Sequence, residues 1–518
     1  MGFVRRRAGR GRLAVVLVAC VALVATAVGC GDSDEASSRP PGGNMPNPIR
    51  GGNVAKPIVE GPVTGGAGTP FIASTTFDLA QVGYAGVEYF ISGTATAYAS
   101  AAPLSDDGTW TVARGDSAAY KTRILVYRPI EPTKFNGTVI VEWLNVSGGL
   151  DAAPDWITGH TELIRDGFAW MGVSAQYVGV EGGDSVLGLP VTPLKTRDPE
   201  RYGSLVHPGD SFAYDIFSQA AQTIRRPTGI RPLGDLTVSA VIAAGESQSA
   251  FRLVTYIDAV HPLADIYDGF LVHSRGGNSI AAAALSEAPQ TAIAVPGSVP
   301  IRGDLNVPVL TFETETDLTF LGYAAARQPD SARFRLWEVA GTAHADTYTT
   351  VVGGTDLGDS PDAANLVLTS SPALGFTCRA PINSGPQHFV LNAAVAALDQ
   401  WVRRGTPPPV APRLEVSGGA TVKIVRDAYG NALGGVRTPQ VDVPIATLSG
   451  DGRGVVFCLL FGTTTPFDAQ TLTALYPTHD AYVSAFNAAT ARAVQAGFLL
   501  PPDATLMKAA AAASDIGD

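Results

Sequence analysis

The sequence predicts an α/β fold with a mostly parallel central sheet flanked by helices, a lid-like insertion and a C-terminal extension. Three observations predict it. From Phe71 onward, short β-branched runs alternate with amphipathic runs, the order that buries a parallel sheet between two helix layers. One buried run, residues 237–244, ends at Gly245-Glu246-Ser247-Gln248-Ser249, and a helical pattern begins at once. Further on, His344 stands in a loop of small residues directly after another strand-like run.

The first residues describe export. Arg5, Arg6, Arg7, Arg10 and Arg12 form a basic head without acidic residues, followed by an apolar run over residues 13–28. Such a run is shorter than the roughly 20 residues a membrane-spanning helix needs, and small residues follow it, so residues 1–29 read as a cleaved signal. Ala27-Val28-Gly29-Cys30 resembles a bacterial lipobox, in which Cys30 takes lipid and becomes the N-terminus; the alternative is an ordinary cleavage site with an incidental cysteine. The expected location is therefore extracytoplasmic, lipid-anchored at the bacterial membrane. Residues 30–69, rich in Gly, Pro, Ser and Asp, read as a flexible tether.

Loss of the five arginines takes the formal net charge from −11 to −16. That balance, with no basic stripe along the chain, excludes nucleic acid as a partner. Of the four cysteines, Cys378 and Cys458 remain as an even pair, expected to form a disulfide rather than two buried thiols. Two distant cysteines and no histidine pair at ligand spacing predict no metal site, and no cofactor is expected.

Within residues 70–409, runs at 87–97 and 122–127 read as early antiparallel strands and 138–144 (TVIVEWL) as a buried strand. Residues 161–166 look helical, 168–173 form a strand, and 210–226 carry Phe212, Ile216 and Ala220 on one helical face. After the run at 237–244 come a helix at 248–260, strands at 269–273, 307–312 and 334–339, and a helix at 387–404 that stops at Gly405 and three prolines. Residues 410–518 contain Gly- and Pro-rich loops and strands, then a helix marked by Tyr482, Phe486, Ala489 and Ala493, read as an extension packed on the core.

The chemistry centres on Ser247. A sharp strand-to-helix turn lifts a serine hydroxyl above the sheet edge, and small residues two before and two after let strand and helix approach. Here they are Gly245 and Ser249; a glycine is usual at the second position. The hydroxyl needs a base. Of seven histidines, His160 and His207 precede the serine, His261 and His273 follow too soon to admit an acid strand, His388 opens a helix and His479 lies in the tail, which leaves His344. The acid lies in Glu313-Thr314-Glu315-Thr316-Asp317, with Asp317 on the turn favoured over Glu315, and Glu313 last. Oxyanion donors are expected from the backbone of Gln248 and of Asn145 or Val146, with Trp143, Trp156 and Tyr177 as candidate pocket walls.

The stretches EYFISGTATAY, FNGTVIVEWLNVSGG, GESQSA, TETD, FRLWEVAGTAHAD, INSGPQHFVLNAA and LFGTTTPFD together resemble the α/β-hydrolase superfamily, in particular a bacterial group of large exported members. They span residues from about 80 to 510. The resemblance implies a serine-dependent hydrolase of small-molecule carboxylic esters, with TETD at the position of the superfamily's acid. Amide cleavage and acyl transfer use the same triad, and a non-catalytic surface binding protein on this fold is the rival of another class. Roughly forty residues separate His344 from the next long helix, where simpler members have few.

Overall fold

The computed structural model describes residues 50–518 except 186–187, 278–282, 373–374 and 420. Residues 1–29, expected from sequence to be a signal, and Cys30 lie outside the described residues. Among the described residues no helix is long and apolar enough to cross a membrane.

Nine strands of the described chain form one sheet. They are β1 (Ile58–Glu60), β2 (Tyr84–Ala99), β3 (Ala113–Pro129), β4 (Thr138–Trp143), β5 (Ala169–Val173), β6 (Ala240–Glu246), β7 (Gly269–His273), β8 (Val309–Thr314) and β9 (Phe334–Val339). The spatial order is β1-β2-β3-β5-β4-β6-β7-β8-β9. The pairs from β1 to β3, and β3 with β5, are antiparallel; every pair from β5 to β9 is parallel. Helices α1 (Pro154–Arg165), α2 (Ala213–Arg225), α3 (Gln248–Thr255), α4 (Glu315–Thr319) and α5 (Gln387–Arg404) belong to the α/β unit. Helices α6 (His479–Gln495) and α7 (Pro501–Ala512) close the chain.

Strand alternation splits the core into two layers. Val139, Val141 and Trp143 of β4 pack with Ile216, Phe217 and Ala220 of α2 and Leu253 of α3. Ile140, on the opposite face, packs with Trp156 and Leu163 of α1 and Val390 and Leu391 of α5. Trp143 and Trp156, candidate pocket walls from sequence, are fully buried in these two cores, whereas Tyr177 is 41% exposed.

Folded chain begins earlier than the tether boundary at residue 69. Arg50 pairs with Asp265 and, at 3.2 Å, with Asp268; Val54 and Val59 are buried, and β1 pairs with β2. The short β1 gives no alternation to read, which is why composition alone mistook this stretch for a linker. The described residues from 50 to 518 belong to one compact unit, and α6 and α7 pack through Phe486, Ala489 and Met507 on Phe389 of α5 and on Tyr348. Between His344 and α5, the first half of the insertion lies against α1: the Tyr348 hydroxyl donates to Asp356, whose carbonyl bonds the His160 ring at 2.7 Å. Its second half carries the Cys378–Cys458 disulfide.

Candidate active site

Ser247 sits at the C-terminal end of β6 with φ 57° and ψ −123°, a strained conformation for any residue but glycine. The crowding that imposes it is visible at Gly245, where a Cβ would lie 3.0 Å from the Ser249 carbonyl oxygen. Ser249 is fully buried and fits the second small position. The strain is held by the Ser247 N–H, which donates to the His273 carbonyl on β7 at 3.0 Å, and by the turn into α3.

His344 follows β9 on a loop that turns at Gly341, φ 74°. A side chain there would meet Val441 of the extension at 2.7 Å. The imidazole bridges two groups: Nε2 lies 2.7 Å from the Ser247 Oγ, and Nδ1 lies 2.6 Å from the Asp317 Oδ1. With its proton on Nδ1, the ring donates to Asp317 and accepts from the serine hydroxyl. Burial disfavours a charge on His344, but Asp317 and Glu246 outweigh it and raise its pKa above the ordinary 6.5.

Asp317 is fixed at both oxygens. Its Oδ2 accepts from the Thr314 N–H and hydroxyl, each at 2.7 Å, forming a capping box at the start of α4. Glu315, the alternative acid, does not reach the histidine. Its carboxylate accepts from the Gly341 N–H at 2.7 Å and the Gly450 N–H at 3.0 Å, and pairs with Arg426 at 3.0 Å. Glu315 thus ties the histidine loop to the extension. Glu313 is wholly buried on β8, away from the imidazole contacts, and burial holds its pKa well above the carboxylate range.

Gln248 opens α3 directly after Ser247, so its N–H is among the first-turn groups without a helical partner. Its side-chain amide pairs with that of Gln176, whose Nε2 donates back to the Gln248 Oε1 at 3.0 Å. Of the two candidates after β4, Asn145 is corrected: its N–H is engaged by the Ala152 carbonyl at 2.9 Å. That bond spans a loop closure which no sequence periodicity reveals. The Val146 N–H has no hydrogen-bond partner among the described residues.

Sequence reasoning passed over two residues. Glu246, the variable position of the turn, places Oε1 3.4 Å from the His344 Nε2. Glu142 of β4 accepts from the Asp155 and Trp156 N–H groups, both at 2.9 Å, and so caps α1, whose own N-cap residue is Ala153. Acidic residues inside otherwise apolar strand runs were the signal for both. Among the described residues, no group of three or more His, Cys, Asp or Glu side chains is placed to hold a metal ion.

A family model described as an alpha/beta hydrolase domain matches residues 59–509. No curated protein matches the chain. Among solved structures, the chain is similar to acetyl xylan esterase 1 from Thermoanaerobacterium, at 11% identity over 43% of this chain and 54% of that one, with a TM-score of 0.23. It therefore spans about half the length of that protein. An esterase from Rhizomucor miehei is similar at 12% identity over 60% of this chain and 84% of that one, TM-score 0.26. The glucuronoyl esterase from Solibacter usitatus is similar at 10% identity over 49% of this chain and 76% of that one, TM-score 0.25.

Proposed function

The chain belongs to the alpha/beta hydrolase domain family, and from that premise we propose that it is an exported serine hydrolase of small-molecule carboxylic esters. The observation that carries the reading is the continuous pair of hydrogen bonds from the Ser247 Oγ through His344 to Asp317, 2.7 Å and 2.6 Å long. In the proposed reaction His344 Nε2 takes the serine proton as Oγ attacks the ester carbonyl. Asp317 holds the tautomer and stabilises the imidazolium. The Gln248 and Val146 N–H groups receive the oxyanion, and His344 returns the proton to the leaving alcohol. Water then repeats the sequence on the acyl-enzyme and releases the acid.

The export half of the proposal is supported by the Cys378–Cys458 bond, since structural disulfides persist in oxidising compartments, and lipid on Cys30 rests on the lipobox-like Ala27-Val28-Gly29-Cys30. A fluorophosphonate probe tests the chemistry. Labelling of the wild type and not of Ser247→Ala, with turnover of p-nitrophenyl esters, supports a hydrolase; absence of labelling in both sinks it in favour of a binding protein. Amide substrates and alcohol acceptors in the same assay separate ester hydrolysis from amidase and transferase action. Incorporation of a fatty-acid label that Cys30→Ser abolishes tests the anchor.

A further inference from the structure

We propose that Glu246 is a positioning residue for His344, a second carboxylate that holds the imidazolium from its Nε2 side while Ser247 is acylated. This rests on the hydrolase reading above. The proton that leaves the serine arrives on Nε2, and that nitrogen faces two groups: the Ser247 Oγ at 2.7 Å and the Glu246 Oε1 at 3.4 Å. The ordinary triad supplies charge compensation only at the other nitrogen, where Asp317 stands. In this chain the ring lies between carboxylates at both ends.

The arrangement is built rather than incidental. Glu246 is the last residue of β6, and its backbone is fixed by the parallel register with β7, where it stands opposite His273. Its second oxygen accepts from the Asn145 Nδ2 at 3.3 Å, and the same amide donates to the Glu246 carbonyl at 3.1 Å. Asn145 directly precedes Val146, whose N–H is the proposed oxyanion donor, so one side chain couples the position of the carboxylate to that of the donor. The Asn145 Oδ1 is itself fixed by the Ser147 N–H at 2.7 Å.

The charged groups around Glu246 favour this partner. They are His344 from the loop after β9, His273 of β7, Asp155 of α1 and Asp317 of α4. His273 is already matched, with Nδ1 2.8 Å from the Asp155 Oδ1 and Nε2 3.1 Å from the Gln387 Nε2. Asp317 is matched by His344 and the Thr314 groups. The imidazole left to answer Glu246 is His344. Burial raises the Glu246 pKa to about 7, with both histidines opposing that rise, so the proton on Glu246 and the charge on His344 influence one another.

The test titrates the low-field proton of the His344–Asp317 hydrogen bond by NMR in the wild type, Glu246→Gln and Glu246→Asp. In parallel, kcat/KM for p-nitrophenyl acetate is measured against pH. Removal of the charge in Glu246→Gln is expected to lower the histidine midpoint by about one pH unit. The acid limb of kcat/KM should move the same way and sharpen to a single ionisation, while kcat falls on the order of tenfold with little change in KM. Glu246→Asp keeps the charge and should recover part of both effects, and it remains readable should the Gln variant not fold. A labelled, active wild type whose histidine midpoint is the same in all three proteins overturns the Glu246 assignment alone. Failure of the fluorophosphonate to label the wild type overturns the hydrolase reading instead, and the role of Glu246 with it.

Discussion

Glu315 and Asp317 lie two residues apart on one turn and hold different partners: Asp317 meets the His344 Nδ1 at 2.6 Å, while Glu315 holds the Gly341 N–H at 2.7 Å. One carboxylate orients the imidazole; the other fastens the loop that carries it. Asp317→Asn is expected to lower kcat on the order of 10⁴-fold, because an amide at that position favours the wrong tautomer. Glu315→Gln leaves the imidazole its acid but removes the charge facing Arg426, so it should cost about 1–3 kcal/mol of stability and less than tenfold in kcat. Steady-state kinetics beside thermal unfolding checks the split. A catalytic collapse in Glu315→Gln without a change in Tm would reverse the assignment.

The backbone at Ser247 yields a prediction of opposite sign for stability and activity. At φ 57° and ψ −123° a side chain is strained, and glycine is not. Ser247→Gly should therefore raise unfolding stability by roughly 1–3 kcal/mol while abolishing fluorophosphonate labelling. Ser247→Ala, which keeps the Cβ, should abolish labelling without that gain. Differential scanning calorimetry of the two variants distinguishes them; equal Tm values would mean the strain is absent in solution.

The sequence was legible where burial is continuous and its ends are punctuated. The runs at 269–273, 334–339 and 387–404 coincide with β7, β9 and α5, because apolar strands bounded by turns and an amphipathic run ending at glycine leave one solution. β2 and β3 extend well past the predicted 87–97 and 122–127, since the outer part of β3, from Arg114 to Ser117, is exposed and carries polar residues. Chain order and context singled out Ser247, His344 and Asp317, which lie within hydrogen-bonding distance in the order Ser247–His344–Asp317. The Asn145–Ala152 bond and the grip of Glu315 on Gly341, Arg426 and Gly450 were not, because hydrogen bonds between loops distant in sequence leave no periodic trace.

Burial of Glu246 makes wild-type stability depend on pH in a definite direction. Its pKa is raised from 4.5 to about 7, so the folded state keeps a proton that the unfolded state has already lost. The contribution is fully present below about 4.5 and is lost as pH rises to about 7, a change of roughly 3 kcal/mol. Glu246→Gln has no such proton to lose. The variant's Tm should therefore gain on that of the wild type between pH 5 and pH 8, even as its kcat falls. Parallel Tm curves across that range would place the ionisation elsewhere.

The disulfide bears on the His344 loop through two backbone contacts. Cys458 begins a turn in which the Leu460 carbonyl accepts from the Ala345 N–H at 3.2 Å, and the Phe461 carbonyl accepts from the Asn383 N–H at 2.8 Å. Ala345 is the neighbour of His344, and the Asn383 Nδ2 in turn donates to the Gly341 carbonyl at 3.1 Å. Both ends of the histidine loop are thus held by the segment that Cys378 and Cys458 join, in a small apolar cluster with Ile382 and Phe461. The bond closes a loop of 80 residues, so its loss should lower stability by roughly 4–5 kcal/mol through the entropy regained by the unfolded chain. Two outcomes are distinguished at temperatures where the protein stays folded. Cys378→Ser with Cys458→Ser is expected to lower kcat severalfold with KM nearly unchanged, because a looser His344 affects proton transfer more than ester binding. A double variant with lowered Tm and unaltered kcat would show that Ile382, Phe461 and the backbone bonds suffice to hold the imidazole, and that the disulfide serves stability alone.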